Sequence, residues 1–190
     1  MEKIVSSVAR MIDNLRKEKD NLIIAIDGRC ASGKTTLAAQ LQKVYDCNVI
    51  HMDDFFLRPE QRTKERLKMA GENVDHERFL KEVLLPLKEG KSFSYRTFDC
   101  GTLQLTESID IVPKRINIIE GSYSCHNNLY EYYDIKIFLT IDSEEQLQRI
   151  MKRDGKDKAE IFKARWIPME EKYFSTFAIE ERADCSIIIS

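Results

Sequence analysis

GRCASGKTT, residues 28–36, is the stretch of this chain best equipped to hold a polyphosphate. It fits GxxxxGK[ST], a loop whose backbone N–H groups wrap around phosphates. On that pattern Gly28, Ala31, Ser32, Gly33, Lys34, Thr35 and Thr36 form the cradle, Lys34 reaches the outer phosphates, and Thr35 offers its hydroxyl to Mg²⁺. A β-carbon at Gly28 or Gly33 would obstruct the positive-φ turns and the close backbone approach that such a ligand needs. The motif therefore reads as an ATP or GTP site and leaves the reaction open.

Phosphoryl transfer to an alcohol needs more parts. A carboxylate must orient or deprotonate the hydroxyl, Mg²⁺ must bridge phosphates, and cations must hold the charge of the group in flight. Asp53 and Asp54 close the short apolar run CNVIHM, and ligands of open α/β sheets bind outside the carboxyl ends of strands. Either aspartate is a candidate base. Thr35 with Glu120 is the candidate metal pair, directly or through water, and Lys34, Arg149 and Arg153 are candidate phosphate cations. Plainer roles compete with these. Two aspartates before Phe55 and Phe56 also suit a turn or helix cap, and the charges from Arg149 to Lys158 also suit a solvated face. Glu120 ends the run RINII, where a carboxylate is costly unless it binds something. His51, His76 and His126 lack metal-ligand spacing and read as structural.

The elements that must position these groups follow from periodicity. NLIIAID before the loop reads as a strand and TTLAAQLQKVY after it as a helix. Residues 2–19 have the apolar spacing of an amphipathic helix. Leu57 to Glu72 is polar, without sustained period, and reads as an exposed excursion. Asp75 to Leu87 is helical in pattern, with Pro86 expected to bend or end it. Residues 91–112 alternate around a glycine and read as a β-hairpin apart from the main sheet. RINIIEG and DIKIFLTID are near-continuous apolar runs, as in central parallel strands. Ser143 to Arg153 reads as a helix opened by Ser143, and ADCSIII as a last strand. Alternating strands and helices predict an α/β fold with a doubly wound parallel sheet of about five strands.

Composition narrows the class. The 190 residues suit one domain with a buried core, and 30 basic against 32 acidic residues leave a formal charge of −2. No global field marks the chain for nucleic acid or an anionic membrane. No apolar stretch approaches a membrane span. Five cysteines without a CxxC pair fit a reducing cytoplasm and read as small buried hydrophobes.

Taken in order, GRCASGKT, a strand ending in DDFF, VDH, a hairpin, IIEG, RIMKRD and ADCSIII resemble the uridine kinase and phosphoribulokinase-like branch of the P-loop small-molecule kinases. The resemblance spans about residues 21–189, and HMDDFFLRPE is also similar to nicotinamide riboside kinases. It implies a single P-loop kinase domain over residues 1–190, with an N-terminal helix over 1–20, a hairpin over 91–112 and a mobile lid over 152–166. It implies ATP and Mg²⁺, a small-molecule acceptor and, by the habit of such kinases, a homo-oligomer. Asp53 matches the catalytic base, Asp75 a ribose-holding aspartate, Glu120 an acid near the metal, and Arg153 a lid arginine that approaches ATP phosphates. Asp54 stands where many uridine kinases carry a hydroxyl residue, and a metal-associated water is its implied partner. The hairpin departs from the pattern: uridine kinases read the pyrimidine there with an aromatic residue and a histidine, and this chain has Phe98-Asp99-Cys100 with no histidine. Stacking on Phe98 remains, yet a base-reading group is gone, which weakens the case for uridine. The expected activity is transfer of the ATP γ-phosphate to a primary hydroxyl, on a ribose-containing metabolite in the first instance. Nicotinamide riboside, pantothenate-like acceptors and a non-catalytic nucleotide-gated regulator are the alternatives.

Overall fold

The computed structural model describes residues 1–189. In chain order the regular elements are α1 (Glu2–Leu15), β1 (Leu22–Gly28), α2 (Lys34–Val44), β2 (Cys47–His51), α3 (Lys64–Lys68), α4 (His76–Phe79), α5 (Leu85–Lys88), β3 (Phe93–Asp99), β4 (Gln104–Ile111), β5 (Ile116–Glu120), β6 (Ile135–Ile141), α6 (Ser143–Asp154), α7 (Lys156–Ile161), α8 (Ile167–Phe177), α9 (Ile179–Arg182) and β7 (Cys185–Ile189). Five strands form a parallel sheet in the order β2-β5-β1-β6-β7, and β3 with β4 forms a separate antiparallel hairpin. The fold is α/β, as the alternation of patterns predicts.

β1 lies at the centre of the sheet and is buried at all seven positions, which is why its sequence is apolar throughout rather than alternating. Successive side chains still point to opposite faces. Leu22, Ile24 and Ile26 pack with Val8 and Ile12 of α1 and with Leu37 and Leu41 of α2. Ile23 and Ala25 face the other layer, with Phe55, Phe79, Val83, Tyr173 and Phe174. Helices thus cover both faces, and the carboxyl ends of β1, β2 and β5 deliver Gly28, Asp53 and Glu120 to one edge.

Local details differ from the sequence reading in instructive ways. α1 ends at Leu15, short of residue 19, because Arg16 onward has no further apolar position to bury. The first turn of α6 is capped by Asp142, whose carboxylate accepts the N–H groups of Glu144 and Glu145 at 2.9 and 3.2 Å, so Asp142 and not Ser143 opens the helix. Pro86 neither ends nor breaks its helix. A π-helical turn over Leu80–Leu84 precedes it, and a second over Phe162–Trp166 precedes Pro168, so that each widened turn leads the chain past a residue without an N–H to donate.

The polar excursion after Phe56 is more ordered than its composition suggests. An antiparallel bridge between Phe56 and Val74 closes it, Leu57 is buried, and Thr63 caps α3 by accepting the Arg66 N–H at 3.1 Å. Its far end is fastened by Glu72, His76 and His126. Nε2 of His76 lies 3.0 Å from Glu72, and the two imidazoles stack with centroids 4.0 Å apart at 12°. The fold therefore gathers a His/His/Glu group that the spacing gave no hint of. Its two imidazoles are stacked nearly parallel, so the group packs as a strap between the excursion and the loop after β5. No helix among the described residues is long and apolar enough to cross a membrane.

Candidate active site

The strand ends open on one cavity of about 920 Å³. Ala31, Gly33, Lys34, Thr35 and Thr36 form its floor, Asp53 and Glu120 one side, and Arg149, Arg153, Phe162, Arg165 and Trp166 the opposite rim. Among the loop glycines, Gly28 is required by space as well as conformation. Its φ is +131°, and a β-carbon there would lie 2.0 Å from the Leu139 carbonyl oxygen, in the pairing of β1 with β6. Gly33, at φ +94°, is required by conformation, since a β-carbon would meet nothing nearer than 3.8 Å. Ala31 holds a left-handed φ of 60° without that freedom.

α2 begins at Lys34, so the positive end of an 11-residue helix faces the cavity. Lys34 is buried, and its ammonium donates to the carbonyls of Gly28 and Arg29 at 2.7 and 2.9 Å and to Ser122 Oγ at 3.3 Å. Gly28 itself does not line the cavity but supplies one of those carbonyls. Ser32 is wholly buried, and its hydroxyl finds no protein partner among the described residues.

Thr35 and Glu120 meet as the sequence suggested. The Thr35 hydroxyl lies 3.1 and 3.2 Å from the two carboxylate oxygens of Glu120, a residue only 4% exposed. This is a hard, all-oxygen donor pair beside the loop lysine, the kind of set Mg²⁺ takes. Across the β2–β5 register His51 stands opposite Glu120, and its Nδ1 hydrogen-bonds that carboxylate. That bond lifts the His51 imidazole above its ordinary value, against the opposing effect of burial.

Asp53 sits in a 3₁₀ turn, Met52–Phe55, directly after β2. Its carboxyl is reachable from solvent but lies deep in the cleft, and it is raised above the usual carboxylate range. Desolvation is the first cause; the Lys34 charge pulls the other way, and Glu120 and Glu170 push it up further. Gly121 makes room for this turn: at φ +137°, a β-carbon on it would come within 2.9 Å of the Met52 side chain and 3.4 Å of Asp53 Oδ1.

The remaining expected residues lie elsewhere. Asp54 turns from the cavity and accepts the Tyr95 hydroxyl at 3.2 Å. Asp75, 3% exposed, caps α4 by accepting the Arg78 N–H at 3.1 Å and also accepts Gln61 Nε2 at 2.8 Å. Phe98 is buried beneath the Arg62 guanidinium, 5.4 Å from its ring centre. None of the three is in the cavity wall. Arg149 and Arg153 do line it, each held by a neighbouring carboxylate, Glu145 and Asp154, at 2.8 Å.

Several residues of this site escaped the sequence reading. Glu170 of α8 reaches the loop from across the sheet edge; it is 5% exposed, accepts the Cys30 N–H at 3.0 Å and the Ser122 hydroxyl at 2.7 Å. A signal existed, because Glu170 shares a helical face with Tyr173 and Phe174, and an acid on an apolar face needs a partner. Asp27, the last residue but one of β1, is fully buried and accepts from the backbone N–H groups of Gly28, Tyr123 and Cys125 and from the Tyr173 hydroxyl at 2.7–3.1 Å. Burial raises its carboxyl to about 6 even though the Cys125, Tyr173 and Gly28 donors and the Lys34 charge lower it. It ties the loop after β5 to the phosphate loop. Arg165 and Trp166, stacked at 4.4 Å, extend the rim.

The family model described as Phosphoribulokinase / Uridine kinase family matches residues 23–165. A curated uridine kinase of Staphylococcus aureus (strain JH9) is 29% identical over 151 residues, covering 74% of this chain and 72% of that one. Among solved structures, a protein of Bacillus stearothermophilus described as a possible uridine kinase superposes with a TM-score of 0.66 at 22% identity, over 95% of this chain and 99% of that one. A candidate fructose transport system kinase of Silicibacter sp. TM1040 gives 0.67 at 24% identity, over 88% and 90%. Both structural likenesses speak for the fold.

Proposed function

Because this chain belongs to the phosphoribulokinase and uridine kinase family, we propose that it moves the γ-phosphate of ATP to a primary hydroxyl of a small metabolite, ribose-containing compounds among them. The observation that carries this reading is a shared cavity: the Asp53 carboxylate and the phosphate-loop lysine both line it, close enough for the Lys34 charge to act on the Asp53 carboxyl. A loop that only gated a partner would have little need of an acid there.

In this reading Asp53 accepts the proton of the acceptor hydroxyl as its oxygen bonds to the γ-phosphorus and the bond to ADP breaks. A carboxyl raised above its usual range is better matched to that proton than an ordinary one. Lys34 leaves its loop carbonyls for the β- and γ-phosphates, while the N–H groups of the loop and the first turn of α2 hold the remaining oxygens. Thr35 and Glu120 would hold Mg²⁺, which would neutralise charge on the phosphates, and His51 orients the Glu120 carboxylate. Arg149, Arg153 and Arg165 approach the phosphates from the rim. The segment over 152–166 serves as the lid. Gly155, at φ +88° with open space around it, is the hinge that lets it close and exclude water. The hairpin and lid are then parts of one kinase domain.

Asp54, Asp75 and Phe98 take supporting roles, steadying the hairpin and the excursion around the acceptor. The test is ADP release with ATP, Mg²⁺ and a panel of nucleosides, cofactor precursors and sugar alcohols, with Lys34→Ala as the inactive control. Acceptor-dependent ADP release matched by a phosphorylated product is the expected result. Stoichiometric ATP binding without such release across the panel would return the chain to the nucleotide-gated class.

A further inference from the structure

The excursion and the hairpin contribute Phe56, Arg62, Leu67, Asn73 and Cys100 to the cavity wall. Of these five only Arg62 carries a charge. Its neighbours in the chain are neutralised: Arg58 reaches Glu60 at 3.2 Å, Arg66 reaches Glu72 at 2.9 Å, and Arg78 reaches Glu82 at 3.2 Å. Arg62 has no carboxylate within ion-pair distance among the described residues. It is nonetheless held in place. Its Nε donates to the Leu57 carbonyl at 2.8 Å, and the central carbon of its guanidinium lies over Phe98, 5.4 Å from the ring centre. Both terminal amino groups are left without a protein acceptor among the described residues.

A guanidinium fixed at Nε, set over an aromatic ring and free at its two outer nitrogens presents the fork that grips a carboxylate or phosphate with two parallel hydrogen bonds. Asp53, Glu120 and Glu170 supply the acids of this cavity; Glu120 and Glu170 are bonded to Thr35 and to the phosphate loop, and none of the three pairs with Arg62. We propose that the phosphate acceptor is an anion, and that Arg62 binds its carboxylate or phosphate group while its primary hydroxyl faces Asp53. This rests on the kinase reading above and narrows it. A neutral nucleoside would leave the fork unused, and the positively charged ring of nicotinamide riboside would be repelled by it.

The experiment has two arms. ADP release is measured for pantothenate and ribonate (carboxylates), ribulose 5-phosphate (a phosphate), uridine and ribitol (neutral), and nicotinamide riboside (a cation). The proteins are the wild type, Arg62→Lys and Arg62→Gln, with thermal melts confirming that the variants fold. An acid is expected to be the preferred acceptor, with its KM raised about 10–100-fold in Arg62→Gln, less in Arg62→Lys, and with kcat little changed. Which acid responds separates a carboxylate from a phosphate. The second arm measures binding of the same acids by calorimetry, with Mg²⁺ and a non-hydrolysable ATP analogue, so it reads Arg62 even if no acceptor turns over. Turnover of neutral or cationic acceptors alone, an acid whose kcat/KM is indifferent to Arg62, or no Arg62-dependent binding of any acid would each overturn the assignment. Loss of turnover with Arg62-dependent acid binding intact would instead count against the kinase reading alone.

Discussion

The two walls of the cavity are built in opposite ways. The donor wall comes from one continuous stretch that runs from the end of β1 into α2, and its shape follows from local backbone: positive φ at Gly28, Ala31 and Gly33, then the amide end of α2. The acceptor wall is assembled from pieces far apart in sequence. Asp53 comes from the end of β2, Arg62 and Asn73 from the excursion, Cys100 from the hairpin tip, and Tyr123 from the loop after β5. The donor wall is also fastened more tightly, by Asp27 and Glu170, two buried acids whose oxygens accept hydrogen bonds from the loop. The acceptor wall is tied largely within its own segments, by the Phe56–Val74 bridge, the Gln61–Asp75 bond, the Arg66–Glu72 pair and the Glu72–His76–His126 strap. A wall made locally keeps one ligand class, here a polyphosphate. A wall made of separate segments is free to change its ligand without disturbing the chemistry beside it.

The comparison can be broken most decisively at Asp53, the acceptor-side residue assigned to the chemistry itself. Asp53→Asn is expected to lower kcat by about 10³-fold while leaving ATP affinity within about 3-fold, since it removes the proton acceptor and not the cradle. Steady-state kinetics with an ATP-binding isotherm checks this, and an unchanged kcat would remove Asp53 from its role. Gly28→Ala probes the donor wall. With a β-carbon 2.0 Å from a strand carbonyl and a left-handed φ to maintain, it should cost about 3–5 kcal/mol of stability, read by denaturant unfolding. Tolerance of alanine there would mean the loop is not locked to β6.

Acid should separate the two walls. Burial, with His76 and Arg66 nearby, lowers the His126 imidazole from 6.5 to about 3, so the folded chain holds it neutral while the unfolded chain takes up a proton. Stability from this group is complete above about 6.5 and is lost as pH falls towards about 3. The slope in that window is about 1.4 kcal/mol per pH unit. Hydrogen exchange is expected to show residues 57–74 loosening before residues 22–44, and His126→Gln should flatten the slope. Equal loosening of both walls would assign the strap no special part. The smallest effect is expected at Tyr95→Phe, which removes the hydroxyl bonded to Asp54 and should cost about 1 kcal/mol. Acceptor KM should shift more than ATP KM if the hairpin sets the acceptor wall.

How much of this was legible beforehand follows the same division. Apolar runs at Leu22 to Asp27, at RINII and at KIFLTI mark central strands, because a strand buried on both faces has no polar position to show. The Thr35–Glu120 meeting was legible too, since Glu120 ends a strand and Thr35 opens the helix after the neighbouring one, and a parallel sheet brings both to one edge. Pro86 misled, because a π-turn that rescues a helix at proline leaves no mark in residue spacing. Asp75 and Phe98 drew attention by position in a motif, yet their surroundings turned them to capping and packing.

The sequence by itself determined the polyphosphate cradle, which depends on residues a few positions apart and on backbone angles that glycine adopts easily, and the buried strands that carry it, whose apolar runs are local although their pairing is not. Only the tertiary structure decided which side chains face the acceptor. Glu170, Arg62 and the stacked His76 and His126 come to their partners across tens of residues, and no local spacing encodes a contact made by the path of the chain around a sheet.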